Sequence, residues 1–205
     1  MEMIAWPGIT LSIKASGQTG ASSLFRRLME AARQAGKRVA HINFQQAFND
    51  EDLTNSDDFH YRFCLALTHE LDLEDRVTQY WEQYKRLSIG HRCTRYLRYL
   101  LQSLGPQPLT LAMDEIDRLI DAGFRSSFFS MLRTWHNDRA VEGLFERMDL
   151  VLVTSLDPDQ LIDDPKSGSP FNVGDLISLN DSHPKRPAAS TTPMELRLPP
   201  GRSSG

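Results

Sequence analysis

The stretch Leu109–Asp117 reads Leu-Thr-Leu-Ala-Met-Asp-Glu-Ile-Asp, an apolar run that ends in two adjacent carboxylates, Asp114 and Glu115. Turn-forming residues, Gly105 and Pro106, precede it. A short apolar run that follows a turn is typical of a strand buried in a parallel sheet. Because burying two carboxylates is costly, we expect them just beyond the strand's carboxyl end, in the crevice where open α/β sheets bind ligands.

Two interpretations of this acidic end lead to different chemistry. In the first, Asp114 holds Mg²⁺ through water while Glu115 polarises an attacking water, as in a Walker B segment. In the second, the strand runs into a helical turn that Asp114 or Asp117 merely caps. The stretch by itself fits both, so the choice depends on the rest of the chain.

The bulk composition favours one folded domain of ordinary character. The 205 residues are 40% hydrophobic and 24% charged, and the net charge of −4 makes nucleic acid an unlikely partner. The two cysteines, Cys64 and Cys93, lie in apolar helical patterns and are predicted to be buried free thiols. No apolar run approaches the roughly 18 residues of a membrane span, and the N-terminus lacks a signal-peptide core. We therefore expect a cytoplasmic protein with no membrane partner.

The periodicity of the chain predicts alternating strands and helices. An alternating strand, Ile9–Ile13, is followed by a small-residue loop, a helix that ends before Gly36, and a second strand, Arg38–Asn43. Residues 49–58 are predicted to be a loop. Further elements are predicted as helices near 59–71, 77–87, 93–104 and 124–137 and strands near 109–113, 150–154 and 177–179. The helical aromatic residues are expected to pack inward; a nucleic-acid stacking surface is the alternative.

The composition changes near residue 181. Residues 181–205 are rich in proline and serine and lack apolar spacing, which predicts a disordered tail after a domain at 1–180.

The loop after the first strand has part of a phosphate-binding motif. The P-loop pattern is G-x-x-x-x-G-K-[ST] between a strand and a helix, and positions 15–22 here read Ala-Ser-Gly-Gln-Thr-Gly-Ala-Ser. Gly20 occupies the second glycine position and Ser22 the hydroxyl position that contacts Mg²⁺. The residues predicted to cradle phosphate through their backbone N–H groups are Gly17, Gln18, Thr19, Gly20, Ala21, Ser22 and Ser23.

The lysine of that pattern is replaced by Ala21. A charge-assisted hydrogen bond contributes about 1.5–3 kcal/mol, so its loss weakens nucleotide binding by roughly tenfold to over a hundredfold. The rate of hydrolysis should fall more than the affinity, because the lysine neutralises charge on the β- and γ-phosphate oxygens. Lys14 is near in sequence but precedes the loop. The alternative is a plain strand–helix turn that binds no ligand.

Several stretches occur together in an order that resembles one family. They are Lys14–Leu24, Cys93–Tyr96, Leu109–Leu119, Leu132–His136, Leu150–Thr154 and Ser169–Gly174. In this order they resemble the AAA-like P-loop ATPase domain of many cyanobacterial and other bacterial multidomain proteins, which is related to the STAND signalling NTPases. The resemblance spans roughly residues 8–180.

The resemblance implies a fold and a site. The fold is a three-layer α/β/α P-loop NTPase of the RecA/AAA type, with a mostly parallel sheet in the order 5-1-4-3-2. Asp114 would be the Walker B magnesium acid and Glu115 the base that activates water. Thr154 or Ser155 would be the sensor-1 group. Trp135-His136 and the segment Ser169–Gly174 are family landmarks without an assigned chemical role.

Three functional interpretations follow. The first is an ATP- and Mg²⁺-binding signalling module with weak or absent hydrolysis, acting with protein partners or a second copy. The second is an active ATPase in which Lys14 or another subunit supplies the missing charge. The third is a non-catalytic scaffold, which Ala21 and the absence of a recognisable lid after residue 180 favour. We favour the first interpretation.

Overall fold

The computed structural model describes residues 7–15, 21–162 and 170–179. The predicted tail at 181–205 and the predicted phosphate-binding residues Gly17, Gln18, Thr19 and Gly20 lie outside these ranges. Of Ala21 and Ser22 the backbone alone is described.

The described chain alternates strands and helices. The strands are β1 (Thr10–Ala15), β2 (Arg38–Asn43), β3 (Leu109–Asp114), β4 (Met148–Thr154) and β5 (Asp175–Leu179). The α-helices are α1 (Ala21–Gln34), α2 (Phe44–Ala47), α3 (Ser56–Glu70), α4 (Val77–Gln83), α5 (Ile89–Ser103) and α6 (Arg125–Asp138). Short 3₁₀ helices span Ile116–Leu119, Phe145–Arg147, Pro158–Leu161 and Pro170–Asn172.

The five strands form one parallel sheet in the order β2-β3-β4-β1-β5. This is the predicted order, 5-1-4-3-2, viewed from the opposite edge. All seven residues of β4 are buried, as expected for a central strand covered on both faces. β4 separates β1 from β3, so the strands that carry the two candidate motifs are not direct neighbours.

Helices cover both faces of the sheet, which confirms the three-layer prediction. On one face, α1 packs over Leu11, Ile13, Val151 and Val153. The other face carries α3, α5 and α6, whose aromatic side chains are buried against β2, β3 and β4. Phe59, Phe63, Tyr96, Phe128 and Trp135 are all 0% exposed. These helical aromatics are therefore core residues and offer no surface for stacking nucleic-acid bases.

The predicted boundaries mostly agree with the observed elements, and one predicted loop does not. Gly36 has a φ of +79°, as a glycine at a helix C-terminus requires. Residues 56–58, predicted as loop, form the first turn of α3. The Asn55 side chain accepts the N–H groups of Asp57 and Asp58 there. Acidic residues are favourable at a helix N-terminus, which is why a polar, acidic composition was misleading here.

The family landmarks hold α6 and the chain before β5 against the sheet. Trp135 is fully buried, and its indole N–H donates to Thr94 Oγ1 at 2.9 Å. His136 Nδ1 lies 2.9 Å from Thr10 Oγ1 on β1. At Gly174 a Cβ atom would lie only 2.3 Å from the Thr10 carbonyl oxygen, so glycine is required for the close approach of β5 to β1. These landmarks therefore have packing roles.

The two cysteines are buried free thiols on α3 and α5, as predicted. Their Sγ atoms are 3.5 Å apart. Burial raises the pKa of the Cys64 thiol well above its usual range. Both therefore serve as apolar core residues.

One ionic cluster is buried where β4 begins, at the amino edge of the sheet. Asp149 is 0% exposed and lies 2.7 Å from Lys37 Nζ. Its carboxylate also accepts the Thr110 hydroxyl at 2.8 Å and the N–H groups of Gly8 and Ile9 at 2.9 and 3.1 Å. The cluster thereby ties the chain before β1 to β3 and β4.

Within the described ranges, no helix has both the length and the apolar content that crossing a bilayer requires.

Candidate functional site

The carboxyl ends of three strands define the candidate site. β3 ends at Asp114, β4 at Thr154 and β1 at Ala15, and Lys14 is in register with Thr154. Because the strands are parallel, all three ends lie at one edge of the sheet. Strands are spaced about 4.8 Å apart, so β1 and β3 are separated by about 10 Å across β4. The ends of β1 and β3 are therefore close enough for one bound phosphate group and its metal ion to contact both.

Among the described residues, nothing donates a hydrogen bond to one of the two carboxylate oxygens of Asp114. Its Oδ1 accepts the Glu115 N–H at 2.9 Å. Its Oδ2 lies 3.9 Å from His41 Nε2 and accepts no hydrogen bond from any residue in the described ranges. Burial raises the pKa of the Asp114 carboxyl above its usual value, although the Glu115 N–H and His41 act in the opposite direction. This half-buried acid would therefore gain from a bound cation.

His41 is a site neighbour that the sequence analysis missed. It lies on β2 in register with Ala112, so its side chain is on the same face as that of Asp114. Its ring packs 4.8 Å from the Phe25 ring of α1. The alternation of β2 places His41 and Val39 on one face, but only the pairing of β2 with β3 brings His41 to the acid.

Glu115 follows β3 directly and has an unusual backbone conformation. Its φ and ψ are 57° and 40°, in the left-handed region that non-glycine residues rarely adopt. Such conformations cluster at functional sites. Its side chain is largely exposed. Loss of water around part of the carboxyl group, followed by the charges of Asp114 and Asp117, raises the pKa of Glu115. A carboxylate with a raised pKa suits proton transfer.

Asp117 links the ends of β3 and β4. Its carboxylate accepts the Ser155 N–H at 3.3 Å and the Ser155 hydroxyl at 2.8 Å. It does not cap the 3₁₀ helix Ile116–Leu119, which has no side-chain cap. The capping interpretation of Asp117 was therefore wrong, and its long-range bond to Ser155 was not visible in the sequence.

Thr154 lies at the predicted edge, but its hydroxyl is engaged locally. It is 2% exposed, and its Oγ1 accepts the Leu156 N–H at 3.1 Å. Strand alternation places it on the face opposite Val153 and α1, whereas Asp114 is on the α1 face. The structure therefore brings the two strand ends together and leaves the two side chains on different faces.

Lys14, the cation proposed to replace the missing lysine, forms an ion pair with Asp157 after β4. Asp157 is 63% exposed. The N-terminus of α1 follows at Ala21, and Ser23 is exposed in its first turn. No acidic residue occurs in that turn, so the helix end keeps its favourable potential for an anion.

The donor set fits a metal ion that arrives with phosphates. No group of three or more histidine, cysteine, aspartate or glutamate side chains that would hold a metal occurs in the part of the chain described. Mg²⁺ commonly binds through one or two carboxylates together with substrate phosphates. The free oxygen of Asp114 meets that requirement.

Comparisons with known proteins agree with this architecture. A family model described as an AAA-like domain matches residues 1–189. An uncharacterized WD repeat-containing protein of Synechocystis is 35% identical over 166 residues, which are 79% of this chain and 14% of the relative. The chain thus corresponds to a small part of that protein.

Solved structures of archaeal proteins share the fold. The ORC2 protein of Aeropyrum pernix, solved in ADPNP–ADP complexes, superposes on this chain with a TM-score of 0.56 at 16% sequence identity. The superposition covers 87% of this chain and 43% of the ORC2 chain. Cdc6p from Pyrobaculum aerophilum has a TM-score of 0.53 at 18% identity, over 83% of this chain and 38% of its own. With the sheet order and the family match, these similarities show that the chain is a member of the AAA-like domain family with a P-loop NTPase fold.

Proposed function

We propose that this chain is a nucleotide-binding module that takes ATP with Mg²⁺ and turns it over slowly or not at all. The observation that supports this most directly is the half-buried Asp114 at the edge of the sheet where β1 ends, since its Oδ2 accepts no hydrogen bond from any described residue. The Aeropyrum ORC2 protein, which shares the fold, was crystallised with ADPNP and ADP.

The proposed roles follow the sequence motif and the geometry of the edge. Backbone N–H groups between Gly17 and Ser23 would bind the phosphates, with the N-terminus of α1 behind them. Asp114 and the Ser22 hydroxyl would hold Mg²⁺, which when bound neutralises charge on the phosphate oxygens. Glu115 would orient and deprotonate a water molecule. Thr154, or Ser155 held by Asp117, would sense the γ-phosphate.

Slow turnover follows from the charges that are missing or already paired. Ala21 supplies no ammonium group at the motif's lysine position. Lys14 is paired with Asp157, so it would have to leave that carboxylate to reach a phosphate. A regulatory switch is therefore favoured over an active ATPase. A scaffold that binds no nucleotide is the second candidate, because the Thr154 hydroxyl is already engaged and the lysine is absent.

A regulatory module must pass its nucleotide state to something else. We propose protein partners, or a second copy of the chain, in the cytoplasm. The acidic net charge of −4 gives no electrostatic reason to favour nucleic acid.

Replacing Asp114 by asparagine tests the proposed metal acid. We expect the wild-type chain to bind ATP saturably with Mg²⁺, in the micromolar to low-millimolar range, and the variant to bind at least about tenfold more weakly because a charged contact is lost. Calorimetric titration measures both. Asp121→Asn removes an exposed carboxylate nearby and should change nothing.

The thermal stability of Asp114→Asn without ligand shows whether this variant still folds. Burial raises the pKa of the Asp114 carboxyl, so the native state binds the carboxyl proton more tightly than the unfolded state does. The free energy of unfolding therefore falls as the pH rises through the range in which Asp114 loses that proton. The Tm of ligand-free Asp114→Asn at neutral pH should therefore equal or exceed that of wild type. Absence of saturable ATP binding to wild type would favour the scaffold.

Lys14→Ala distinguishes the switch from an ATPase that depends on Lys14. Since Asp157 already holds the ammonium group, we expect steady-state phosphate release to be as low in the variant as in wild type. A phosphate-release assay over matched protein concentrations makes the comparison, with Asp157→Ala as the partner variant. A clear phosphate release by wild type that disappears in Lys14→Ala would support the active-ATPase interpretation.

A further inference from the structure

A cleft of about 630 Å³ lies in the layer formed by α3, α5 and α6. It is bounded by the first residues of α3 and α5 and by one side of α6. None of its lining residues belongs to the proposed nucleotide site. Its volume falls in the range of about 300–1,000 Å³ that small-molecule sites occupy.

One end of the cleft has backbone N–H groups that no described residue accepts. Ile89, Gly90 and His91 begin the 15-residue helix α5 and line the cleft, and the first N–H groups of a helix have no acceptor within it. The N-cap residue Ser88 makes no capping bond, because its hydroxyl pairs with His91 Nδ1 at 2.6 Å. No acidic residue occurs in this first turn. This end therefore favours an anionic group.

A second and independent feature is a buried histidine. His60 lines the cleft yet is only 2% exposed. Its Nδ1 lies 2.6 Å from the Ser56 carbonyl oxygen, so Nδ1–H is the donor and Nε2 is left as an acceptor. Across residues 7–15, 21–162 and 170–179, no group forms a hydrogen bond with Nε2. Burial lowers the pKa of His60, which keeps the ring neutral and Nε2 available.

The α6 wall also presents acceptors. The Ser127 hydroxyl donates to the Phe124 carbonyl oxygen at 2.7 Å, and the Thr134 hydroxyl donates to the Ser130 carbonyl oxygen at 3.0 Å. Their protons are committed, so these two hydroxyls offer a ligand only oxygen lone pairs. The Asp138 carboxylate on the same wall is a further acceptor, and it lies 3.9 Å from Arg98 Nη2. A ligand that satisfies this wall must bring its own donors.

We propose that this cleft binds a small anionic molecule that carries hydroxyl groups. Its anionic group would accept the free N–H groups at the start of α5, and its hydroxyls would donate to His60 Nε2 and to the α6 wall. The anion is a phosphate monoester or a carboxylate. The site is separate from the proposed nucleotide site and does not depend on it.

The test titrates the protein with three probes while the backbone amides are observed by NMR. The probes are inorganic phosphate, glycerol 3-phosphate and glycerate. We expect saturable shifts of the Ile89, Gly90 and His91 amides, with tighter binding for a hydroxylated probe than for inorganic phosphate. Preference between glycerol 3-phosphate and glycerate identifies the anion. Asp114→Asn should bind as wild type does, which separates this site from the nucleotide site.

Ser88→Asp is the decisive variant. Its carboxylate would cap the α5 amides and repel an anion, so we expect at least about tenfold weaker binding with an unchanged or higher Tm. Gln102→Glu adds the same charge at the other end of α5, at an exposed position, and should bind as wild type does. Absence of saturable shifts with every probe would overturn the proposal. Equal affinity of Ser88→Asp and Gln102→Glu, or of inorganic phosphate and the hydroxylated probes, would also overturn it.

Discussion

Replacement of Asp149 by alanine should lower the free energy of unfolding by about 3–5 kcal/mol, because it removes the carboxylate that faces the buried ammonium group of Lys37. Asp149 and the side chain of Lys37 are 0% and 1% exposed, and their charged atoms are 2.7 Å apart. The change also removes the acceptor of the Gly8 and Ile9 N–H groups. Domains of this kind have a total stability of about 5–15 kcal/mol, so much of it depends on one carboxylate.

Urea denaturation followed by circular dichroism measures this effect, and two comparisons sharpen it. Asp157→Ala breaks an ion pair whose acid is 63% exposed and should change stability by no more than about 0.5 kcal/mol. The double variant Lys37→Met/Asp149→Leu removes both charges and should recover part of the loss. A cost below about 1 kcal/mol for Asp149→Ala would contradict the proposed importance of the cluster.

The effect would reach the candidate site through the first strand. Asp149 holds the chain immediately before β1, and β1 ends directly before the predicted phosphate-binding residues. We therefore expect any nucleotide affinity to fall in parallel with stability in this variant.

Introducing the missing lysine should have the largest effect on binding. Ala21→Lys places an ammonium group at the motif's lysine position, in the first residue of α1. A charge-assisted hydrogen bond of about 1.5–3 kcal/mol corresponds to roughly a tenfold to over a hundredfold gain in ATP affinity. Phosphate release should rise as well, because charge on the transferred phosphate is then neutralised. Titration with ATP and Mg²⁺ and a phosphate-release assay test both expectations.

The matched control is Gln34→Lys, which adds the same charge at the exposed C-terminal end of α1. It should gain little, since its ammonium group does not occupy the motif position. The gain in Ala21→Lys should also decrease when Asp114→Asn is added. If wild type and Ala21→Lys both fail to bind ATP saturably, the interpretation as a scaffold replaces the switch.

The sequence was sufficient for most of the strands and helices because the relevant signals are local. The apolar runs of β3 and β4 predicted buried parallel strands, and the spacing of apolar residues predicted α1, α5 and α6. β2 begins and ends at the predicted residues. The strand order came from the family resemblance, and the structure confirms it. The loop predicted over 49–58 was too long because acidic residues that favour a helix start resemble loop composition.

The sequence also located the strand ends at which the candidate acids lie, since an apolar run that stops at a carboxylate is visible in a single stretch. Only the tertiary structure decided which side chains meet there. It placed His41 beside Asp114 and formed a hydrogen bond between Asp117 and Ser155, which are 38 residues apart in the sequence. It also paired Lys14 with Asp157, at a separation of 143 residues, and Lys37 with Asp149, at a separation of 112 residues. Such pairs depend on strand register and helix packing, which bring distant segments together, and a local pattern of residue types does not contain that information.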